Sequence, residues 1–171
     1  MFSFFRKYMQ KNNIGDKLTM SKTMDTIKLT KQDFKDGVYC GNKDLTNVEG
    51  NLEIAKTGWC RFETNIYARG NISAEGYISA NGNISAKGDI SARGYVYAEG
   101  NIYAEGYISA KGDISAEGDI SAKGYISAEG DISAKGYISA GDYISAEGGI
   151  YVKGYIRVNG SHYNPIKIKR N

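Results

Sequence analysis

His162 is the only histidine in a chain of 171 residues. One imidazole cannot form a multi-histidine metal site. It can serve as a catalytic base only where a cleft holds it against a substrate. Cys40 and Cys60 are the only thiols, too few for a disulfide framework. Asp and Glu total 19, but paired-carboxylate catalysis needs a pocket that pushes two pKa values apart. The calcium-binding signature Gly-Gly-x-Gly-x-Asp is absent. That leaves tyrosine, present 14 times. Tyr is a stiff amphipathic ring that works by contact and is enriched at interfaces.

The elements that hold these side chains follow from a repeat. From Asn65 to Gly160 the chain divides into sixteen hexads, beginning NIYARG, NISAEG, YISANG and ending YIRVNG. Position two is Ile except at Val96. Position four is Ala except at Val152 and Val158. Position six is Gly except at Asp142, where Gly141 comes one place early. Residues two apart share one face of a strand, so Ile and Ala point inward while positions one and three point outward. A helix is excluded, because a Gly every six residues costs about 1 kcal/mol each relative to Ala. Three-residue strands bury too little area as an ordinary sheet. Stacked coils bury more, since each strand pairs with its equivalent one coil above and below. The expectation is an all-β, single-stranded parallel β-helix, with its handedness left open.

Position one sets the coil length. Units three apart match there in seven of thirteen comparisons, more often than at any other spacing tried. That predicts a triangular coil of 18 residues, with like stacking on like. One row then carries Asn65, Asn83, Asn101, Asp119, Tyr137 and Tyr155. A second carries Asn71, Asp89, Tyr107, Tyr125 and Tyr143. The third carries Tyr77, Tyr95, Asp113, Asp131 and Gly149. All eleven Tyr of the hexads lie at outward positions. Tyr107, Tyr125 and Tyr143 are the foremost candidates for a protein-contact surface. Tyr137 and Tyr155 come next, then Tyr77 and Tyr95. Charges at position five show no order along the rows and read as solvated corners.

The register extends upstream through WCRFET (59–64), NLEIAKTG (51–58), DLTNVEG (44–50) and GVYCGNK (37–43). The expected organisation is an N-terminal cap or docking segment over 1–36, irregular first coils over 37–64, the regular β-helix over 65–160 and a C-terminal cap with a basic tail over 161–171. The solenoid then starts near Gly37 and makes nearly seven coils. Cys40 and Cys60 fall at inward positions in units three apart, which predicts two small buried thiols close together. "LTKQDFKD" (29–36) reads as a short helix with Thr30 at its N-cap. Phe2, Phe5 and Met9 can share a helical face. His162 lies beyond the repeat and reads as a cap or surface residue, since no loop is inserted between 65 and 160.

Net charge is +3, distributed as +4 over 1–36, −1 over 37–64, −3 over 65–160 and +3 over 161–171. This lacks the concentrated basic field of a nucleic-acid binder, so direct nucleic-acid binding is not expected. No apolar run reaches the roughly 20 residues of a membrane span, and no signal-peptide pattern opens the chain. A cytoplasmic location with reduced thiols is expected.

Runs such as GNISAKGDISARG and GDISAEGDISAKG resemble the Gly-punctuated hexapeptide repeats of β-helical proteins of bacteria and phages. There is a looser similarity to bactofilins, the polymer-forming β-helical cytoskeletal proteins. The resemblance covers about 37–160 and implies a fold but no functional residue. The expected function is a non-catalytic solenoid that presents a Tyr-rich surface to a protein partner, without metal or cofactor. Two alternatives stand beside it. One is a self-assembling bactofilin-like scaffold, forming a homo-oligomer. The other is a phage or mobile-element inhibitor of a host defence or nucleic-acid enzyme, in the manner of an anti-CRISPR.

Overall fold

The computed structural model describes residues 25–160. The expectations for the first residues, for His162 and for 161–171 lie outside the described residues. The chain opens with strand β1 (Thr26–Leu29) and a single 3-10 turn, Lys31–Asp33. Next come β2 (Phe34–Lys35), β3 (Val38–Tyr39), β4 (Asn51–Ile54) and β5 (Arg61–Phe62). Sixteen strands of three residues follow, β6 to β21, from Ile66–Ala68 to Ile156–Val158, one per hexad.

Three sheets form the faces of a triangular rod. The first runs β1-β4-β7-β10-β13-β16-β19, the second β2-β3-β5-β8-β11-β14-β17-β20, and the third β6-β9-β12-β15-β18-β21. Pairing is parallel and in register, with Ile72 against Ile90 and Ile90 against Ile108. The predicted fold class and the 18-residue coil are therefore what the chain adopts. From β6 upward the coils are regular; β1, β3, β4 and an isolated bridge at Val48 belong to the irregular coils beneath them, where Leu52 pairs with Ile72.

Inward Ile and Ala make the core. The hexad residues from Ile66 to Ile138 at position two are wholly buried, and the Ala residues between Ala68 and Ala140 are no more than 9% exposed. Each buried Ile contributes roughly 1.5–3 kcal/mol of apolar burial. The hydrogen-bond ladder also runs through the corners. Gly88 N–H donates to Gly70 O at 3.0 Å, and Lys87 N–H to Ala68 O at 3.0 Å. The turns thus stack as tightly as the strands.

That stacking explains the glycine. Gly82 has no positive φ; the described residues show positive φ only at Asp36, Gly37 and Gly58. A Cβ at Gly82 would instead collide with Asn65 Oδ1 of the coil below. The hexad glycine is needed for close approach rather than for a left-handed turn.

The lower end departs from the expected register. The first rung begins at Thr26 rather than near Gly37, so part of the expected cap belongs to the first sheet. Asp36 and Gly37 both take positive φ, 51° and 85°. They join β2 to β3 as a two-residue antiparallel hairpin, Phe34 opposite Tyr39 and Lys35 opposite Val38. Asp-Gly is the sequence that such a turn requires. The hairpin packs its aromatic rings on Phe62, with Phe34 and Tyr39 each 5.6 Å from it. An antiparallel strand on the edge protects the parallel pairing surface. The predicted short helix is only the 3-10 turn at Lys31–Asp33, where Thr30 N–H donates to Asp33 Oδ2 at 2.7 Å.

Cys40 is also corrected. It leaves the hairpin on the exposed side, while Cys60 is buried, and both thiols are free. The hairpin reversal takes Cys40 out of the inward register that parallel coils would have given it.

Candidate interaction surface

Position one of each hexad lies at the start of a strand, just after the corner glycine. Its side chain therefore meets its own equivalent one coil away. Two kinds of row result, depending on the residue.

Asn and Asp build hydrogen-bonded rows. Asn65 Oδ1 accepts the Asn83 N–H at 2.8 Å, Asn83 Oδ1 accepts that of Asn101 at 2.7 Å, and Asn101 Oδ1 accepts that of Asp119 at 2.8 Å. In the first sheet, Asn71 serves Asp89 at 2.9 Å and Asp89 serves Tyr107 at 3.1 Å. Each bond satisfies a backbone donor at a corner and points the same way along the axis.

Tyr builds aromatic rows, above the amide and carboxylate rows on the first and third sheets and below the Asp row on the second. Tyr107 and Tyr125 stack with centroids 4.7 Å apart and planes 3° apart, and Tyr125 and Tyr143 lie 5.1 Å apart. Tyr137 and Tyr155 stack at 5.2 Å, and Tyr77 and Tyr95 at 4.9 Å. All seven tyrosines singled out in the sequence therefore sit in ladders, in three separate rows on three sheets. Tyr107, Tyr125, Tyr143, Tyr137 and Tyr77 are half-buried, while Tyr95 and Tyr155 are exposed at 41% and 60%. Stacking covers ring faces and leaves edges and hydroxyls outward.

Burial pushes the Tyr107, Tyr125 and Tyr137 hydroxyls above the usual phenol range. The carboxylates of Asp89 and Asp119 add to this at Tyr107 and Tyr137, and neighbouring tyrosines add to it at Tyr125. Tyr107, Tyr125 and Tyr137 are therefore neutral hydrogen-bonding groups at physiological pH. Burial likewise raises the Cys60 thiol, which leaves it a poor nucleophile.

Two features went unread in the sequence. Trp59 is 60% exposed and heads the Tyr77–Tyr95 row, its ring 5.1 Å from Tyr77. Its place at position one is visible in the sequence, but its exposure and its ring contact come from the fold. The corner charges also pair across coils, Lys123 with Glu105 at 2.7 Å and Arg69 with Glu49 at 2.8 Å. These pairs are exposed and add little to stability.

Among the described residues, no group of three His, Cys, Asp or Glu side chains could hold a metal ion. No helix among them is long and apolar enough to cross a membrane. The shallow depressions lie along the flat faces, such as one lined by Ser73, Ser91, Ser109 and Ser127. What the arrangement offers is regular contact surface.

No curated protein and no solved structure matches the chain. Residues 44–159 match the family described as FapA, Flagellar Assembly Protein A beta solenoid domain. That span begins at DLTNVEG and ends within the last hexad, so it takes in every regular coil. By this match over most of its length, the chain belongs to the FapA beta solenoid domain family.

Proposed function

We propose that the protein is a non-catalytic scaffold whose tyrosine rows dock a protein partner, foremost the Tyr107–Tyr125–Tyr143 row. The observation that carries this reading is the triple stack itself, with rings 4.7 and 5.1 Å apart on one continuous sheet. Such a row is pre-ordered, so a partner meets aromatic edges whose side-chain entropy is already lost. Polar tips and apolar bodies side by side suit a protein surface. The family's own name is that of an assembly protein, which agrees with a role in contact rather than in catalysis.

The test is affinity capture from a cell extract with the full chain and with Tyr107→Ser/Tyr125→Ser/Tyr143→Ser. The reading expects a saturable partner that the triple variant fails to recover. Equal recovery would remove the row from the account. A nucleic-acid enzyme as the captured protein would give this the inhibitor form.

A second reading, the self-assembling scaffold, is favoured by the flat stacked coils, since a rod built of repeats can continue into another copy. Light scattering of the purified protein separates the two. Concentration-dependent filaments support self-assembly, and a fixed small mass supports a separate partner.

A further inference from the structure

The second sheet carries a groove of about 610 Å3 beside the Tyr77–Tyr95 row, and the inference from it deepens the reading of that row as a protein-contact surface. One wall is the row Trp59, Tyr77 and Tyr95, and the other includes Arg61 and Tyr97. Glu99 and Asp113 also line it. Asp113 lies one coil beyond Tyr95, and Glu99 stands on the corner two residues after Tyr97. Arg61 is the sole cation of the lining, and its Nε donates to Asn81 Oδ1 at 3.2 Å. The groove thus sets four aromatic rings and two carboxylates against one guanidinium that already has a partner.

This chemistry selects a cation. Tyr77 lies between Trp59 and Tyr95, so these two end rings are the ones that present an outer face, and ring faces attract cationic groups, guanidinium above all, because its plane stacks while its edge is free to bond. A carboxylate then takes that edge in charge-assisted hydrogen bonds. Asp113 Oδ1 already accepts the Asp131 N–H at 2.8 Å, which leaves its second oxygen for a ligand, and Glu99 stands exposed at its corner. Dimensions point to an extended chain. From Trp59 to Asp113 the row climbs three coils, roughly 14 Å, the span of about four extended residues. We propose that this groove binds an arginine-bearing extended polypeptide segment, with guanidinium groups stacked on Trp59 and Tyr95 and paired with Glu99 and Asp113. The site lies on a different sheet from the Tyr107 row and stands whether or not that row docks a partner.

Trp59 is the only tryptophan in the chain, so its emission reports on this groove alone. The experiment titrates the full protein with an alternating Gly-Arg octapeptide and, separately, with an alternating Gly-Glu octapeptide. The Gly-Arg peptide should give a saturable change in Trp59 emission that weakens as salt is raised, and the Gly-Glu peptide none. Tyr95→Ser should weaken binding about tenfold, the loss of one well-placed cation–π contact. Glu99→Gln removes a charge at an exposed corner without touching the stack, and should weaken binding about fivefold. It keeps the test decisive if Tyr95→Ser does not fold. Equal responses to the two peptides, or full affinity in Glu99→Gln, would overturn the proposal. So would tighter binding of the neutral glycan cellohexaose, which would make this a sugar groove.

Discussion

The Asn, Asp and Tyr side chains at position one of the hexads answer to a residue eighteen places away. Asn83 carries the backbone N–H of Asn101 on its amide oxygen, and Gly82 leaves the room in which Asn65 does the same for Asn83. Two glycines separate the reasons for having glycine at all. Gly82→Ala drives a methyl into the Asn65 amide and should cost about 1–3 kcal/mol, as overpacking does. Gly58 has φ +80° but open space around it, so Gly58→Ala should cost about 1–2 kcal/mol of left-handed strain alone. Urea unfolding of both variants measures the difference, and a larger loss at Gly58 would reverse the order argued for the corner stack. The tyrosines add a dependence on pH. The hydroxyls of Tyr107, Tyr125 and Tyr137 are raised chiefly by burial, so folding favours their neutral form. Their stabilisation is complete below the unfolded phenol value of about 10. It is lost as pH climbs through the higher folded values. In thermal melts between pH 8 and 11.5, the buried Cys60 thiol, also raised, brings a first decline above about pH 8.5, and the tyrosines bring a further one above about pH 10, in step with tyrosinate absorbance at 295 nm.

Three-residue strands hold because the column, and not the strand, is the cooperative element. Ile114 is fully buried between Val96 and Ile132 in the second sheet. Ile114→Ala should cost about 2–5 kcal/mol, since the closely stacked coils cannot collapse into the gap. Lys123→Ala breaks an exposed pair with Glu105 and should leave the urea midpoint where it was. Most of this architecture is legible in the sequence. Inward Ile and Ala, closing glycine and the likeness of units three apart lead to three sheets and an 18-residue coil. The lower end departs from the expected register where two signals share one residue. Gly37 reads as the start of the first repeat unit, whereas with Asp36 it forms the turn of a hairpin. The same reversal carried Cys40 outward. Asp-Gly was present as a hairpin signal, and the strength of the downstream period overrode it. The ion pairs between coils could not be read either, because position five alternates without a fixed order and its long side chains choose partners by local reach.

At the scale of the whole molecule, the rod is a rigid ruler that converts sequence order into rows along three faces. Asn gives way to Asp and then to Tyr along the first and third sheets, while the second starts with Trp59 and Tyr and passes to Asp. The three aromatic patches therefore lie at different heights on different faces. The sequence disclosed the rows but not the groove beside Trp59, which needs the second sheet to bring Tyr97 and Arg61 opposite it. The central claim is that the Tyr107–Tyr125–Tyr143 row works by contact. It is tested most directly by replacing all three residues with Phe in one variant and with Ser in another, and measuring partner recovery beside melting temperature. Phe keeps the stack and loses only the hydroxyls. The account predicts that the Phe variant melts near the wild type and recovers most of the partner, and that the Ser variant stays folded at the assay temperature and recovers almost none. Full recovery by a folded Ser variant would contradict it.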